Sequence, residues 1–527
     1  MSITALQTIS GYIQTQQLND NFSLIGQEFT AHLADYSSLL INVKYPPTGY
    51  VPAVGDGVTD DTNALQALFT DFNTIFIPEG NYLTNSLSAD DIYLFGAPEK
   101  TIIKIISDGV NTNGIQLTGN IYVSNIIFQQ SNILNTIDAA IEITETEKTR
   151  IKNCIFTNTT GVWVKSDANT KSNIIVDECL FDSCPRTGLS IASSTIPTEN
   201  VKVTNTTFLN CGTNAISQCH GAYVVATNIA FNNCTFKGTL SGYGLNAYVS
   251  SENASYEQNN IKVINCTFTD NDDTTGGDCY VSGYKSVYAY NTNIIGCTFE
   301  PNRIGIAIKT NSSFAIIGNT INMPNNSSIG IVIIDSDITH PNMSGTISGN
   351  SFIGDLAQNS DTVVPKGEGT RVGVSGGSVG KNSINISGNS FNSLIYGING
   401  GDLSGRGGIY DCFISSNAFK NNTTDIYDLE NPNASTKIIN NLGILDNFSV
   451  TYDPPSLDDN TQTTTIITCT GARMGDLVDS SFSINLNGVI MTAYVSASDT
   501  VTILLRNNTG AVRDLASGTL RVRITKR

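Results

Sequence analysis

At 527 residues the chain is longer than one compact core usually holds, so several domains or a repeat architecture is expected. Only 14% of residues are charged, and 46 acidic against 28 basic residues give a net charge of -18. That sign excludes nucleic acid and an anionic membrane surface as partners, because the long-range term toward phosphate is repulsive. An anionic polysaccharide stays open through a local basic patch.

The 11 cysteines show no CxxC spacing of a zinc site. Most recur at one position of a repeat, which predicts buried thiols acting as small apolar groups in a chain folded in a reducing cytosol. No metal and no cofactor are expected. Met1 is followed by a polar, amphipathic stretch rather than the basic flank and apolar core of a signal peptide. No apolar run approaches the roughly 18 residues of a membrane span.

In chain order, residues 11–33 come first. Leu18, Phe22, Ile25, Phe29 and Leu33 form a helical stripe that needs a partner surface, either its own domain or two further copies around an axis. Ser10-Gly11-Tyr12, followed by Leu18-Asn19-Asp20-Asn21-Phe22, resembles the N-terminal anchor of phage fibre and spike proteins. For residues 1–45 that resemblance implies a trimeric segment attached to tail or baseplate proteins.

After Tyr45-Pro46-Pro47-Thr48-Gly49 the chain reads Gly55-Asp56-Gly57-Val58-Thr59-Asp60-Asp61-Thr62, and then a short helix with Ala64, Leu65, Leu68 and Phe69 on one face. Asp60, Asp61 or Thr62 can cap that helix. A strand, Ile75-Phe76-Ile77, ends at Pro78-Glu79-Gly80-Asn81-Tyr82-Leu83. This combination resembles the leading segment of the pectate lyase-like β-helix superfamily. There it plugs the open end of the helix, so the aspartates are expected as caps and turn-formers of a unit spanning 46–119.

From about 120 to 450 the chain repeats. The mark is Asn or Cys, any residue, then Phe or Ile: Cys154-Ile155-Phe156, Cys179-Leu180-Phe181, Cys234-Thr235-Phe236, Cys266-Thr267-Phe268, Cys297-Thr298-Phe299, Asn319-Thr320-Ile321, Asn350-Ser351-Phe352, Asn389-Ser390-Phe391 and Asn417-Ala418-Phe419, with Thr206-Thr207-Phe208 as a variant. Starting at Phe128, the steps are 28, 25, 27, 28, 32, 31, 22, 31, 39 and 28 residues. A period of this size signals a solenoid, and short period-two alternations such as Gly305-Ile306-Ala307-Ile308 make its strands. The expected fold is all-β: a right-handed parallel β-helix of about eleven coils, Phe on Phe and Cys on Cys, forming a rod on the order of 50 Å long.

Residues 456–527 alternate as antiparallel strands at Ser481–Leu486, Val489–Val495, Val501–Leu505 and Leu520–Ile524. With Leu515-Ala516-Ser517-Gly518-Thr519-Leu520-Arg521-Val522, the segment resembles the small β domain that closes many phage fibre proteins. That resemblance implies trimerisation or capping. Three such resemblances in order point to a tailspike of the virion, made in the host cytoplasm, homotrimeric and directed at bacterial surface polysaccharide. A non-enzymatic receptor-binding or structural fibre is the alternative.

Two regions are candidates for the site. In Gly161-Val162-Trp163-Val164-Lys165 the valines face inward by parity, so Trp163 and Lys165 face out. Glu142, Ser190, Ser217, Asn246, Tyr280 and Ala307 are the expected equivalents in other coils. A subunit interface would use Trp163 equally well. The enlarged coils at 238–293 carry Tyr243, Tyr248, Tyr256, Tyr280, Tyr284, Tyr288 and Tyr290. Glu252, Glu257, Asp272, Asp273 and Asp278 are interleaved with them. Glycosidases need carboxyl pairs about 5–5.5 Å or about 6.5–9.5 Å apart, spans that adjacent coils supply. These five acids are therefore the catalytic candidates, with Glu142, Trp163, Lys165, Tyr248, Tyr280 and Tyr284 as glycan contacts. Hydrolysis is favoured over a lyase reaction built on Arg186, Arg303 or Lys309. Cys219-His220-Gly221 and Gly277-Asp278-Cys279 are similar to polygalacturonase motifs but stand in the wrong order. His32, His220 and His340 are too scattered for a metal site or triad.

Overall fold

The structure is a computed structural model. It describes residues 40–106, 114–130, 139–165, 171–191, 198–212, 219–240, 242–248, 258–271, 277–282, 289–309, 313–323, 328–335, 344–354, 368–374, 383–399, 412–420, 422, 424–427, 437–439, 441, 448–469 and 472–525. The helical stripe of 11–33 lies outside the described residues.

Three long sheets, here A, B and C, contain 15, 14 and 13 strands, and each strand pairs in parallel with its counterparts one coil before and one coil after. The chain visits A, B and C in turn, which makes a β-helix, right-handed as parallel crossovers are. Sheet B carries the predicted column. Phe128, Phe156, Phe181, Phe208, Phe236, Phe268 and Phe299 are aligned one above the next. Their ring centroids lie 4.7–5.1 Å apart and their planes are within 7° of parallel. Ile321 interrupts the stack, which resumes at Phe352, Phe391 and Phe419. Each buried ring contributes roughly 1.5–3 kcal/mol by leaving water, and about 0.5–1.5 kcal/mol more per stacked pair.

The column two residues upstream changes chemistry along the rod. In the first half it holds Cys154, Cys179, Cys234, Cys266 and Cys297, all buried as thiols. In the second half it becomes an amide ladder. Asn319 Nδ2 donates to Asn350 Oδ1, Asn350 to Asn389, Asn389 to Asn417 and Asn417 to Asn441, each at 2.9 Å. Asn350 Nδ2 also reaches the Ile316 carbonyl at 2.9 Å, and Asn350 Oδ1 also accepts the Asn319 backbone N–H at 2.9 Å. Each interior amide is thereby saturated, which is what makes a buried polar column tolerable.

Just before this column the coils turn through a left-handed residue: Asn125, Asn153, Glu178, Asn205, Asn233 and Asn265, then Gly296, Gly318, Gly349, Gly388 and Ser416. Asparagine is the side chain that visits this region most readily after glycine, which accounts for much of the Asn-rich composition.

Stacking begins earlier than residue 120. Strands from Ile41–Asn42 onward already join sheet A, and Tyr82 and Ile103 occupy the Phe column below Phe128. These coils lack the Cys-x-Phe mark because a tyrosine and an isoleucine fill the same place. Helix Thr62–Asp71 buries Leu65, Leu68 and Phe69. Its Gln66 amide donates to the Ser88 carbonyl at 3.0 Å and accepts the Ser88 N–H at 2.8 Å, so it satisfies the first strand of sheet C as a further strand would. Asp60 Oδ1 accepts the Thr62 N–H at 2.9 Å. Asp61 stands at the N-cap position, but its side chain makes no capping bond. Its carboxylate accepts the Val54 and Gly55 N–H groups at 2.7 and 3.0 Å and pins the preceding turn.

The C-terminal region forms two three-stranded antiparallel sheets. Ile490–Ala497, Thr500–Arg506 and Gly518–Thr525 match the expected strands, whereas Leu477–Phe482 shares only Ser481 and Phe482 with the expected Ser481–Leu486. Phe448–Tyr452 pairs with Gly518–Thr525, so this unit draws on residues ahead of 456.

Candidate functional site

One row of outward positions on sheet C is fixed by register: Gln116, Glu142, Trp163, Ser190, Tyr223, Asn246, Tyr280, Ala307 and Val332. A glycine column sets the start of these strands. Gly161, Gly188, Gly221, Gly244 and Gly305 occupy one level, and a Cβ on any of them would press on the carbonyl oxygen of the coil above. Ser217 was the sequence expectation for the coil that Tyr223 represents. It lies outside the described residues, and the row instead passes through Tyr223, because Gly221-Ala222-Tyr223-Val224 repeats the frame of Gly161-Val162-Trp163-Val164.

Two groups stand on this face. In the first, Val162 and Val164 are fully buried and Trp163 is half-buried on the outer side, beside Glu142 in register. Lys165 Nζ lies 3.3 Å from Glu142 Oε1, with the glutamate side chain 1% exposed and the lysine 45%. Glu142 therefore faces outward as parity requires, but it lies beneath the lysine. Lys165 is the accessible member of the pair.

The second group is aromatic. The Tyr243 and Tyr280 rings stack at 4.8 Å, and the His220 ring lies between Tyr223 (5.8 Å) and Tyr243 (6.1 Å). All three tyrosines are half-buried. His220 Nδ1 accepts the Tyr243 backbone N–H at 2.9 Å, and Nε2 lies 2.9 Å from the Asn246 side-chain amide. Burial pushes the imidazole down to about 4, so it is neutral at pH 7. Tyr248 lies in the strand Tyr243–Tyr248, paired with Ser282. Sequence reasoning had set His220 aside and overlooked Tyr223. The signal for both was the glycine frame.

Of the five acids, Glu252, Glu257, Asp272 and Asp273 lie outside the described residues, as does Tyr284. Asp278 is described, and it is not a groove acid. It replaces glycine in the column between Gly244 and Gly305 and is fully buried. Asn271 Nδ2 donates to its Oδ1 at 2.8 Å and to the Phe236 carbonyl at 3.2 Å, while Asn271 Oδ1 accepts the Thr239 N–H at 3.2 Å. The same device recurs in a later coil, where Asn422 Nδ2 reaches Asp425 Oδ1 at 3.1 Å and the Phe391 carbonyl at 3.1 Å. Burial raises the Asp278 carboxyl well above the usual range. It is a turn-bracing residue under the sheet. Arg186 and Arg303 are half-buried, and the Lys309 side chain is outside the described set.

Residues 51–240 match the family model described as rhamnogalacturonase A/epimerase, pectate lyase-like. No curated protein matches the chain. Among solved structures, the chain is similar to a double mutant of the tailspike protein of E. coli bacteriophage HK620 (13% identity, 93% of this chain and 94% of that one, TM-score 0.54). A mutant tailspike of the same phage in complex with a hexasaccharide (TM-score 0.52), and the tailspike in complex with a pentasaccharide (TM-score 0.51), each at 13% identity, cover the same shares. Residues 51–240 thus match a pectate lyase-like family model, and the parallel β-helix of the chain is similar in fold to those phage tailspikes.

Proposed function

We propose that this protein is a phage tailspike that binds bacterial surface polysaccharide along the outer face of sheet C and degrades it. The observation that carries the reading is the row of Trp163, Tyr223 and Tyr280, held at fixed coil positions with polar neighbours Lys165, Ser190 and Asn246. Sugars present an apolar face and a hydroxyl rim, which such a row matches by stacking and hydrogen bonding. The likeness to tailspikes solved with bound oligosaccharides supports it.

For the chemistry, Glu252, Glu257, Asp272 and Asp273 remain the proposed acids of a hydrolase. In sequence they follow the strand ending at Tyr248 or precede the strand beginning at Gly277, the two strands that carry Asn246 and Tyr280. The protein is proposed to act as a homotrimer anchored to the virion tail by residues 1–45, the C-terminal unit contributing to assembly. A binding module without turnover is the second reading. It is favoured by the settings of two candidate residues, Glu142 being engaged by Lys165 and Asp278 being buried.

The test is incubation of the protein with polysaccharides from a host panel, followed by reducing-end assay and by absorbance of an unsaturated uronate. New reducing ends without that absorbance are expected, and are expected to disappear on substituting the acids of 252–273. Absorbance would mean elimination. Binding without any product would leave a recognition surface only.

A further inference from the structure

The sheets of the rod differ in sign. The strands of sheet A carry Lys148, Arg150, Lys152, Lys202, Lys262 and Lys437 against two acids, Asp177 and Glu199, whereas those of sheet C carry two basic residues against six acids. Sheet A thus inverts the sign of a chain whose net charge is -18.

One outward row of sheet A is fixed by register: Tyr93, Tyr122, Arg150, Ile175, Lys202, Ala230 and Lys262. It begins on an aromatic platform. Tyr93 is 44% exposed and stacks on Tyr122 at 6.3 Å, and Phe95 lies 5.2 Å from the same ring. A cation then stands on every second coil, Arg150 half-exposed and Lys202 and Lys262 exposed, with the uncharged Ile175 and Ala230 between them. Parallel neighbours lie about 4.8 Å apart, so successive cations are spaced about 10 Å along the rod.

The acids of the face leave this row its charge. Asp177 is shared by two cations, 3.8 Å from Arg150 Nη2 and 3.9 Å from Lys152 Nζ. Glu199 is in register with Ser172 and Thr227, away from the row. Lys202 and Lys262 form no ion pair among the described residues. Beside the row runs an exposed amide chain, in which Asn200 Nδ2 donates to Asn173 Oδ1 at 3.1 Å, Asn228 to Asn200 at 3.0 Å and Asn260 to Asn228 at 2.8 Å. Amides of this kind can bond sugar hydroxyls, and the tyrosine platform can stack on a sugar ring.

The spacing selects the partner. Nucleic acid carries a phosphate about every 3.4 Å of each duplex strand, too dense for this row. In an extended polysaccharide with one carboxylate per disaccharide, the charges recur after two linked rings, a length close to two coils.

We propose that the outer face of sheet A is a second glycan-binding surface, for an acidic polysaccharide with one carboxylate per disaccharide. It lies on a different sheet from the row of Trp163, Tyr223 and Tyr280, so the two surfaces are tested separately.

The test measures binding of the full-length protein, by surface plasmon resonance at low and high salt, to hyaluronan, which has one carboxylate in each disaccharide. Hyaluronan with its carboxyls reduced to alcohols and a DNA duplex serve as comparisons. Native hyaluronan is expected to bind about tenfold more tightly than the reduced polymer at low salt, and to lose that advantage as salt rises. Lys202→Gln with Lys262→Gln is expected to lower it to the reduced level with the melting temperature unchanged. Lys237→Gln with Lys420→Gln, the same charge change on sheet B, is expected to leave it unaltered. Equal binding of native and reduced hyaluronan, no binding of either, equal loss in both double variants, or tighter binding of the duplex would overturn the proposal. So would a change in the mass of the Lys202, Lys262 variant by light scattering, which would make the face a subunit contact. None of these outcomes touches the reading of sheet C, which rests on the host-panel polysaccharides.

Discussion

Asp278 shows how far a single residue can be read from sequence. Gly277-Asp278-Cys279 within a tyrosine-rich stretch looks like loop chemistry, and nothing local separates an acid in a groove from an acid in a turn. The separating information is vertical, one coil away on either side, where Gly244 and Gly305 hold the same level. Trp163 was legible because parity between two valines needs only three neighbours. Burial raises the Asp278 carboxyl in the folded chain, so the native state holds a proton that the unfolded state releases. Its effect on stability is therefore favourable below the ordinary carboxylate range and is progressively lost as pH rises above that range. Asp278→Asn keeps the acceptor for Asn271 and removes the titration. It should raise the melting temperature at pH 8 relative to the parent, converge with it near pH 4, and leave glycan binding unaltered; a variant that melts lower at pH 8 would contradict the assignment.

At the scale of elements, the period was visible because stacking demands it. A ring that must sit on the ring below recurs once per coil, and the spacing in sequence is the length of a coil. The same logic hid the first coils, where Tyr82 and Ile103 fill the column without repeating the mark. It also hid the switch from thiols to amides, since Cys and Asn at one position look like simple variation. They are different solutions. The cysteines, small and buried, make weak thiol contacts to the neighbouring coil, such as Cys234 Sγ to the Val203 carbonyl at 3.5 Å, whereas each interior asparagine bonds strongly to both neighbours. Asn350→Leu would take the Asn350 side chain from the Asn319 backbone N–H and the Ile316 carbonyl, and would strip one of two bonds from the Asn319 amide and from the Asn389 acceptor. The cost is roughly 1–3 kcal/mol for each group left unsatisfied. Cys234→Ala should cost less than Asn350→Leu in denaturant-unfolding measurements, and the reverse order would show that the ladder is not cooperative.

For the whole molecule, a rod with exposed apolar side chains at its C-terminal unit is not well suited to solitude. Ile466, Leu477, Ile490 and Tyr494 are each more than half exposed there. Such exposure supports subunit contact. Light scattering on the purified protein is expected to return three times 56.3 kDa, and a single chain's mass would remove the trimer from the proposal. The sequence announced this unit by alternation, yet placed its beginning too late, because the strand Phe448–Tyr452 is short.

The parallel register has a consequence in time. Every strand of the three sheets finds its partner one coil back, about as far along the chain as one Phe is from the next, so contact order is low for so large a protein. The helix that shields the first strand of sheet C is also made early. As a ribosome adds roughly 5–20 residues per second, a finished surface already waits for each new coil within seconds of its emergence. Stalled nascent chains ending after Glu300 should therefore carry a protease-resistant fragment, and complete digestion would show that the rod forms only after release. Growth from a covered end onto an exposed one makes synthesis itself the clock, and a pause in translation becomes a pause in the lengthening of the rod.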